Sequence, residues 1–430
     1  MRGVIAVQSK AEQDCLWSLY RGTFGLQSRG QEYCGISTRK KRGEPKIRTH
    51  RGLVKQTFAN DLRGLEGFCG IGSTSNQDRQ PILKYARFGP FTIAFDGFIR
   101  NARKLRGQML NSGDCLSSLE NVELLASIIS READISDGIA RAMESIHGGF
   151  SLVMLTAEGI YLARSTDGLF PLVLGEGKES WVASSESAAF GYGGWRITRD
   201  IAPGEIIRMG QNGFETLKRL SGKLHICSFF WIYFGQPESI SDGIPVARVR
   251  HNLGRFLAEA DDVEADIVAP IPFSGIMHAE GYHLASGLPL LAVFKLPQFS
   301  YRTYNLPIKH RLDEQEVKLM VIDENVRGMR IVLVDDSIRA GVILRGTIAK
   351  LRQHGAKEVH VRIASPISVR NCPYAPPAKK EEEYIAAKYP LEKVREIIGA
   401  DTLRYQRLGD VPRAIGLSAE DLCLECFQRV

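Results

Sequence analysis

The chain has 430 residues, with 56 Lys+Arg against 49 Asp+Glu and a net charge of +7. That is long enough for two or three domains of about 100–200 residues each and excludes a single small module. Hydrophobic residues make up 44%, charged residues 24% and aromatics 8%, a balance that builds large cores and excludes a disordered or fibrous chain. The basic residues are dispersed, without a recognition-helix motif or a basic-aromatic platform, so an anionic small molecule is expected as partner and a nucleic acid is not.

No stretch reaches the roughly 18 consecutive apolar residues of a membrane span. The opening MRGVIAVQSKAEQD has charges where a signal peptide has its apolar region. A cytoplasmic protein without membrane contact is therefore expected. In such a reducing compartment eight cysteines point to thiols or metal ligands rather than to a disulfide framework.

In chain order, residues 3–8, 67–72, 91–96, 150–156 and 158–164 have the pattern of strands, and 11–27 has helical spacing. An antiparallel block over 169–210 ends at the turn Pro203-Gly204-Glu205, which makes the first half α+β. From about residue 240 the pattern changes. Helices near 246–260, after Ser274 and up to Gln353 alternate with strands at 265–272, 288–295, 330–336 and 358–365. Their continuous Val, Ile and Leu predict a parallel sheet covered on both faces, an α/β arrangement. Beyond Pro366 come Pro373, Pro376 and Pro377, helices at about 378–388 and 391–399, and a closing Cys-Leu-Glu-Cys.

The stretch RIVLVDDSIRAGVILRG, residues 330–346, is an apolar strand ending in Asp335 and Asp336, then a Ser- and Gly-containing turn that opens a helix. Ligands of parallel sheets sit at the carboxyl ends of strands, and a helix start offers N–H groups and a positive dipole to an anion. The two acids can hold ribose hydroxyls, directly or through a divalent metal. The simpler alternative is a helix cap with exposed acids.

VLVDDSI with its following helix start resembles the phosphoribosyl pyrophosphate (PRPP) motif of type I phosphoribosyltransferases. The wider chain is similar to the glutamine PRPP amidotransferase family at LQSRGQEYCGI (26–36), LRGLEGFCGIG (62–72), AFDGFIRNA (94–102), ASSESAAF (183–190), PGEI (203–206), PIPFSGIMHAEGY (270–282), SYRTYNLP (300–307) and GAKEVHVRIASP (355–366). The resemblance implies an amino-terminal glutaminase-type domain over 1–224, an Ntn-hydrolase-like αββα sandwich. A type I phosphoribosyltransferase domain with a parallel sheet follows over 225–365, then a helical tail over 366–430. It also implies a PRPP-like sugar phosphate or nucleotide as ligand, Mg²⁺ bound with it, and a homo-oligomer or a partner protein.

The family's glutaminase uses a processed amino-terminal cysteine as nucleophile. Here Met1-Arg2-Gly3-Val4-Ile5 stands where the family has Met-Cys-Gly-Ile-Val, so the nucleophile position is Arg2. A guanidinium cannot attack an amide, and its bulk should discourage removal of Met1. Cys34-Gly35-Ile36 mimics the missing tripeptide, but the residues before it match the family downstream of the nucleophile, so Cys34 is expected to be a half-buried structural thiol. Asp96-Gly97 replaces the family's oxyanion-hole Asn-Gly, and a carboxylate there should repel an oxyanion. The segment that grips the substrate carboxylate is shortened to GIGSTSNQDRQP. The first domain is thus expected to lack glutaminase activity, with Cys15, Cys69 and Cys115 as ordinary thiols.

In the second domain the resemblance assigns sugar-phosphate binding to Ser274, Gly275, Lys295, Arg302, Asp335, Asp336, Ser337, Arg339 and Gly341, with Asp335 and Asp336 also meeting Mg²⁺. Thr303 accompanies Arg302 in the closing-loop segment. Val342 and Ile343 stand where the family has phosphate-binding Thr residues, and Phe273 replaces an Asp; Arg339 and backbone N–H groups can partly compensate. Cys227, Cys372, Cys423 and Cys426 match the places where subgroups of the family bind a [4Fe-4S] cluster; tetrahedral zinc is the alternative. Three functions remain open: a phosphoribosyltransferase using ammonia or another nucleophile, a non-catalytic iron–sulfur paralogue with a regulatory or scaffold role, and the complete glutamine-dependent enzyme.

Overall fold

The computed structural model describes residues 2–295, 319–375 and 384–427. The chain divides into two compact units: Met1–Cys227 with Glu238–Pro245 and Glu420–Cys423, and Ser228–Pro237 with Val246–Ala419 and Leu424–Val430.

The first unit is organised by the strand Arg2–Ser9, which is buried at every position. Both of its faces are covered. Ile5 and Val7 pack into a core with Leu16, Leu19 and Ile36. Val4 and Ala6 turn the other way, into a core with Ala94, Val153 and Leu162, as alternation along a strand requires. The strand lies inside a seven-stranded sheet between Ser180–Ser184 and Cys69–Ser75, antiparallel to both. A six-stranded antiparallel sheet, which includes Gly89–Ile99, Gly148–Leu155 and Ile160–Arg164, supplies the facing residues. The helix Leu16–Gly25 covers the first sheet, and helices Asn121–Ile129 and Ile135–Ser145 cover the second. The order of layers is helix, sheet, sheet, helix.

The segment Glu238–Pro245 returns to the first unit through charge as well as shape. Arg164 is fully buried and donates to Asp242 at 2.8 Å and to the carbonyls of Ile201 and Gly168 at 3.0 and 2.7 Å. Ser239 donates to the buried Glu186 at 2.9 Å.

The second unit holds a four-stranded parallel sheet in the order Ile267–Pro270, Arg330–Asp335, Glu358–Ile363, Thr402–Tyr405. Helices Val342–Gln353 and Leu391–Ile398 pack on it through Leu344, Ile348, Leu351, Val394 and Ile398. Val246–Glu259 and Ile276–Ser286 pack closely on each other, and Gly254 is what lets them approach: a Cβ there would lie 1.9 Å from the His278 carbonyl oxygen.

Two expectations change. The apolar run 288–295 is a strand only at Phe294–Lys295, because around Pro289 the backbone makes a single parallel bridge, Val268 to Leu290, at the sheet's edge. The described residues of 366–430 do not form a helical tail of their own, since Thr402–Tyr405 adds a strand to the parallel sheet.

Replacing Gly254 by Ala forces these two helices apart against backbone atoms. Urea unfolding should show the second unit destabilised by about 1–3 kcal/mol, the usual cost of overpacking, with the first unit's transition unmoved.

Candidate functional site

At the head of the first strand the Arg2 side chain is buried. Nη1 donates to the Gly97 carbonyl at 2.6 Å, and Nη2 donates to Gln77 Oε1 at 2.8 Å and to Asp78 Oδ2 at 2.5 Å. The guanidinium carbon sits 4.7 Å from the centre of the Phe95 ring. Gln77 and Asp78 are presented by a turn in which both backbone N–H groups donate to Ser75 Oγ at 3.0 Å.

Asp96 is buried beside this cluster, but its charge is already matched. Arg29 Nη2 donates to it at 2.7 Å, and Arg29 Nε lies 3.8 Å from Glu186. Burial alone would pull the Arg29 pKa down; Asp96 and Glu186 outweigh it and hold it above the ordinary value. The carboxylate expected to face a reacting centre is instead half of an ion pair. Arg2 and Asp96 each have their own counter-charge. Neither Gln77, Asp78 nor Arg29 was marked by the sequence, although a buried Arg2 calls for an acid, and Asp78 lies in the shortened loop beside it.

Cys34 is fully rather than half buried, 1% exposed, with Sγ 3.2 Å from Thr57 Oγ1. Burial raises its pKa and that of Cys15, and pushes Cys69 up to about 12. These thiols are protonated at neutral pH and inert. Cys115 is exposed.

In the second unit Asp335 and Asp336 close the strand Arg330–Asp335, both buried. Ser274 Oγ and the Asp336 N–H donate to Asp335 Oδ1 at 2.9 Å each, and Ser337 Oγ donates to Asp336 Oδ2 at 2.6 Å. Burial, then the neighbouring Asp336 charge, pushes the Asp335 carboxyl well above its usual range; burial raises Asp336 against its hydroxyl donors. Gly275 is needed for close approach, since a Cβ would lie 2.2 Å from the Val334 carbonyl oxygen. Gly341, at φ +72°, precedes the helix Val342–Gln353. The turn between is held by the Ile385 N–H donating to the Arg339 carbonyl at 2.8 Å, and by the Arg339 guanidinium 5.5 Å from the Tyr384 ring centre. Phe273 and Ile343 are exposed. Lys295 is exposed, in a two-stranded pairing of Phe294–Lys295 with Met320–Val321. Arg302 and Thr303 lie outside the described residues.

Two of the four candidate ligand cysteines are paired. In the first unit Cys227 and Cys423 are directly opposite in a parallel pairing of Ile226–Cys227 with Leu422–Cys423. In the second, the Val369 N–H donates to the Cys426 carbonyl at 3.0 Å, and the Tyr374 N–H to Cys372 Sγ at 3.4 Å. The Tyr384 pKa is raised by burial, with the nearby Cys426 and Cys372 adding to it. None of the four is in a disulfide.

A helix-covered double sheet and a parallel sheet whose central strand ends in two buried acids define a glutaminase-type unit joined to a phosphoribosyltransferase-type unit. Comparison with known proteins agrees. A family model for a glutamine amidotransferase domain matches residues 70–191. The amidophosphoribosyltransferase of Archaeoglobus fulgidus is 34% identical over 95% of this chain and 93% of its own length. That of Bacillus subtilis is 34% identical over 95% and 89%. The solved glutamine PRPP amidotransferase from B. subtilis, complexed with ADP and GMP, has a TM-score of 0.92 at 32% identity, covering 99% of this chain and 96% of that one. The chain belongs to the amidophosphoribosyltransferase family. No helix among the described residues is long and apolar enough to cross a membrane.

The raised carboxyls have a pH consequence. Folded, the pair binds protons more tightly than it does unfolded, so ionising it costs stability as pH rises past the ordinary Asp range, and a bound cation reverses that cost. Urea unfolding should therefore show the second unit losing stability as pH rises past the ordinary Asp range, and Asp336→Asn should flatten that dependence.

Proposed function

We propose that this protein's second unit binds PRPP or a related sugar phosphate and joins it to ammonia or another nucleophile, while its first unit keeps the glutaminase fold without glutaminase chemistry. The observation that carries this reading is the buried, paired guanidinium of Arg2 at the head of the strand Arg2–Ser9. A guanidinium stays protonated and offers no lone pair to an amide carbon. Asp96, tied to Arg29, offers no donor to an oxyanion.

Asp335 and Asp336 supply the oxygen ligands Mg²⁺ prefers, and the ion would neutralise charge on the departing pyrophosphate. The chain's own part is to hold the sugar against the strand end and to bring Lys295 and Arg302 to the leaving group, while ammonia attacks the anomeric carbon and the bond to pyrophosphate breaks. The B. subtilis relative is complexed with ADP and GMP, which supports nucleotides as a second ligand class for this chain. Four thiols outside any disulfide, Cys227, Cys372, Cys423 and Cys426, suit a [4Fe-4S] cluster of structural role; zinc would use the same set.

A second reading, a non-catalytic paralogue, is favoured by the apolar Val342, Ile343 and Phe273 at places where the family binds phosphate. Incubation with PRPP, Mg²⁺ and either ammonia or glutamine separates the readings. Pyrophosphate release with ammonia but not glutamine is expected. Glutamate formed from glutamine would refute the view of the first unit, and no pyrophosphate under any condition would leave the paralogue. Asp335→Asn should weaken Mg²⁺-dependent PRPP binding about tenfold or more, the scale of a lost charge-assisted contact. Anaerobically purified protein should be brown and hold about four irons per chain, as a Cys₄ cluster requires; colourless, zinc-loaded protein would reject the cluster.

A further inference from the structure

The geometry points to Arg2 as a tethered ligand: the pocket at the head of the first strand is a receptor for a guanidinium group, and the chain fills it with its own. This rests on the reading that the first unit has lost glutaminase chemistry, and goes beyond it by assigning what the pocket recognises.

Every polar group that meets the Arg2 head is an acceptor. They are the Gly97 carbonyl at 2.6 Å, Gln77 Oε1 at 2.8 Å and the Asp78 carboxylate at 2.5 Å, with the Phe95 ring against the guanidinium plane. An oxyanion or an amide carbonyl needs donors there, and a carboxylate would meet Asp78. The neighbouring Asp96 does not compete for the cation, because Arg29 holds it at 2.7 Å. What the pocket offers is one carboxylate within hydrogen-bond reach, a second, Glu120, close enough to feel the Arg2 charge, two neutral acceptors and an aromatic ring.

That set discriminates among cations. A guanidinium is planar and spreads its donors in a fork, whereas an ammonium is a compact point charge. Among the described residues the contacts come from the two terminal nitrogens alone, and Nε has no hydrogen-bond partner. The pocket therefore reads the end of the side chain, and a small free guanidinium compound carries everything it reads. By seating its own, the chain ties the turn Ser75–Asp78 to the strand Gly89–Ile99 without a diffusible ligand.

The test uses the full chain and methylguanidinium as probe. Arg2→Ala should lower the first unit's melting temperature by on the order of 10 °C, as removal of one member of a buried pair does. Methylguanidinium chloride at about 1–10 mM, the range of a few good contacts, should recover part of that loss, while equal methylammonium or NaCl does not. The unsubstituted chain should not respond, and Arg2→Ala combined with Asp78→Asn should lose the response. No recovery, equal recovery with methylammonium, or an equal response by the unsubstituted chain would overturn the proposal. Should Arg2→Ala not fold, Arg2→Lys decides: faster hydrogen exchange at Gln77–Arg79 than in the unsubstituted chain is expected, and unchanged protection would overturn it. Glutamate release from glutamine by the unsubstituted chain is scored separately. It would sink the reading of the unit while leaving the recognition of guanidinium to the melting experiment.

Discussion

The ion pair of Arg2 with Asp78, 2.5 Å apart with side chains 3% and 12% exposed, constrains the whole amino-terminal pocket. A charge taken out of water costs several kcal/mol unless a partner and further hydrogen bonds compensate it. Arg2 therefore determines what its neighbours must be: an acid in reach, acceptors for the remaining N–H groups, and a surface for the guanidinium plane. Asp78, Gln77, Gly97 and Phe95 meet those needs. The same rule governs Asp96, whose charge would be untenable without Arg29. Arg2 and Asp96 are each met by an opposite charge within hydrogen-bond distance.

The acid pair of the second unit is built on the opposite plan. Asp335 and Asp336 are buried and held by hydroxyls and a backbone N–H; the Asp336 charge adds to the burial that raises Asp335, while Arg250 partly offsets the burial of Asp336. That arrangement is costly to the empty fold and makes sense where a cation or a sugar diol completes it. A buried acid pair of this kind breaks a local rule of stability, as sites completed by a ligand do.

Much of this was legible in the sequence. Strands of continuous Val, Ile and Leu marked the parallel sheet, and the doublet Asp335-Asp336 marked the end of one of them. The tail strand Thr402–Tyr405 was missed because four residues of mixed polarity carry no period, and only pairing with Glu358–Ile363 makes them a strand. The run 288–295 misled for the converse reason: it is apolar enough for a buried strand but meets the four-stranded sheet by a single bridge, Leu290 to Val268. In the pocket, the sequence showed Arg2 and Asp96 as changes in the family pattern but not their partners. Arg29 is 67 residues from Asp96 and Asp78 is 76 from Arg2, and ion pairing at such separations leaves no local signature.

The path of the chain between units also matters for anyone who would dissect it. Residues 238–245 and 420–423 belong to the first unit although the second surrounds them in sequence. A chain cut after residue 227 would strip Arg164 of Asp242 and deprive the strand bearing Cys227 of its neighbour Leu422–Cys423. An insoluble fragment would then report a severed weave and say nothing about whether the amino-terminal half is sound.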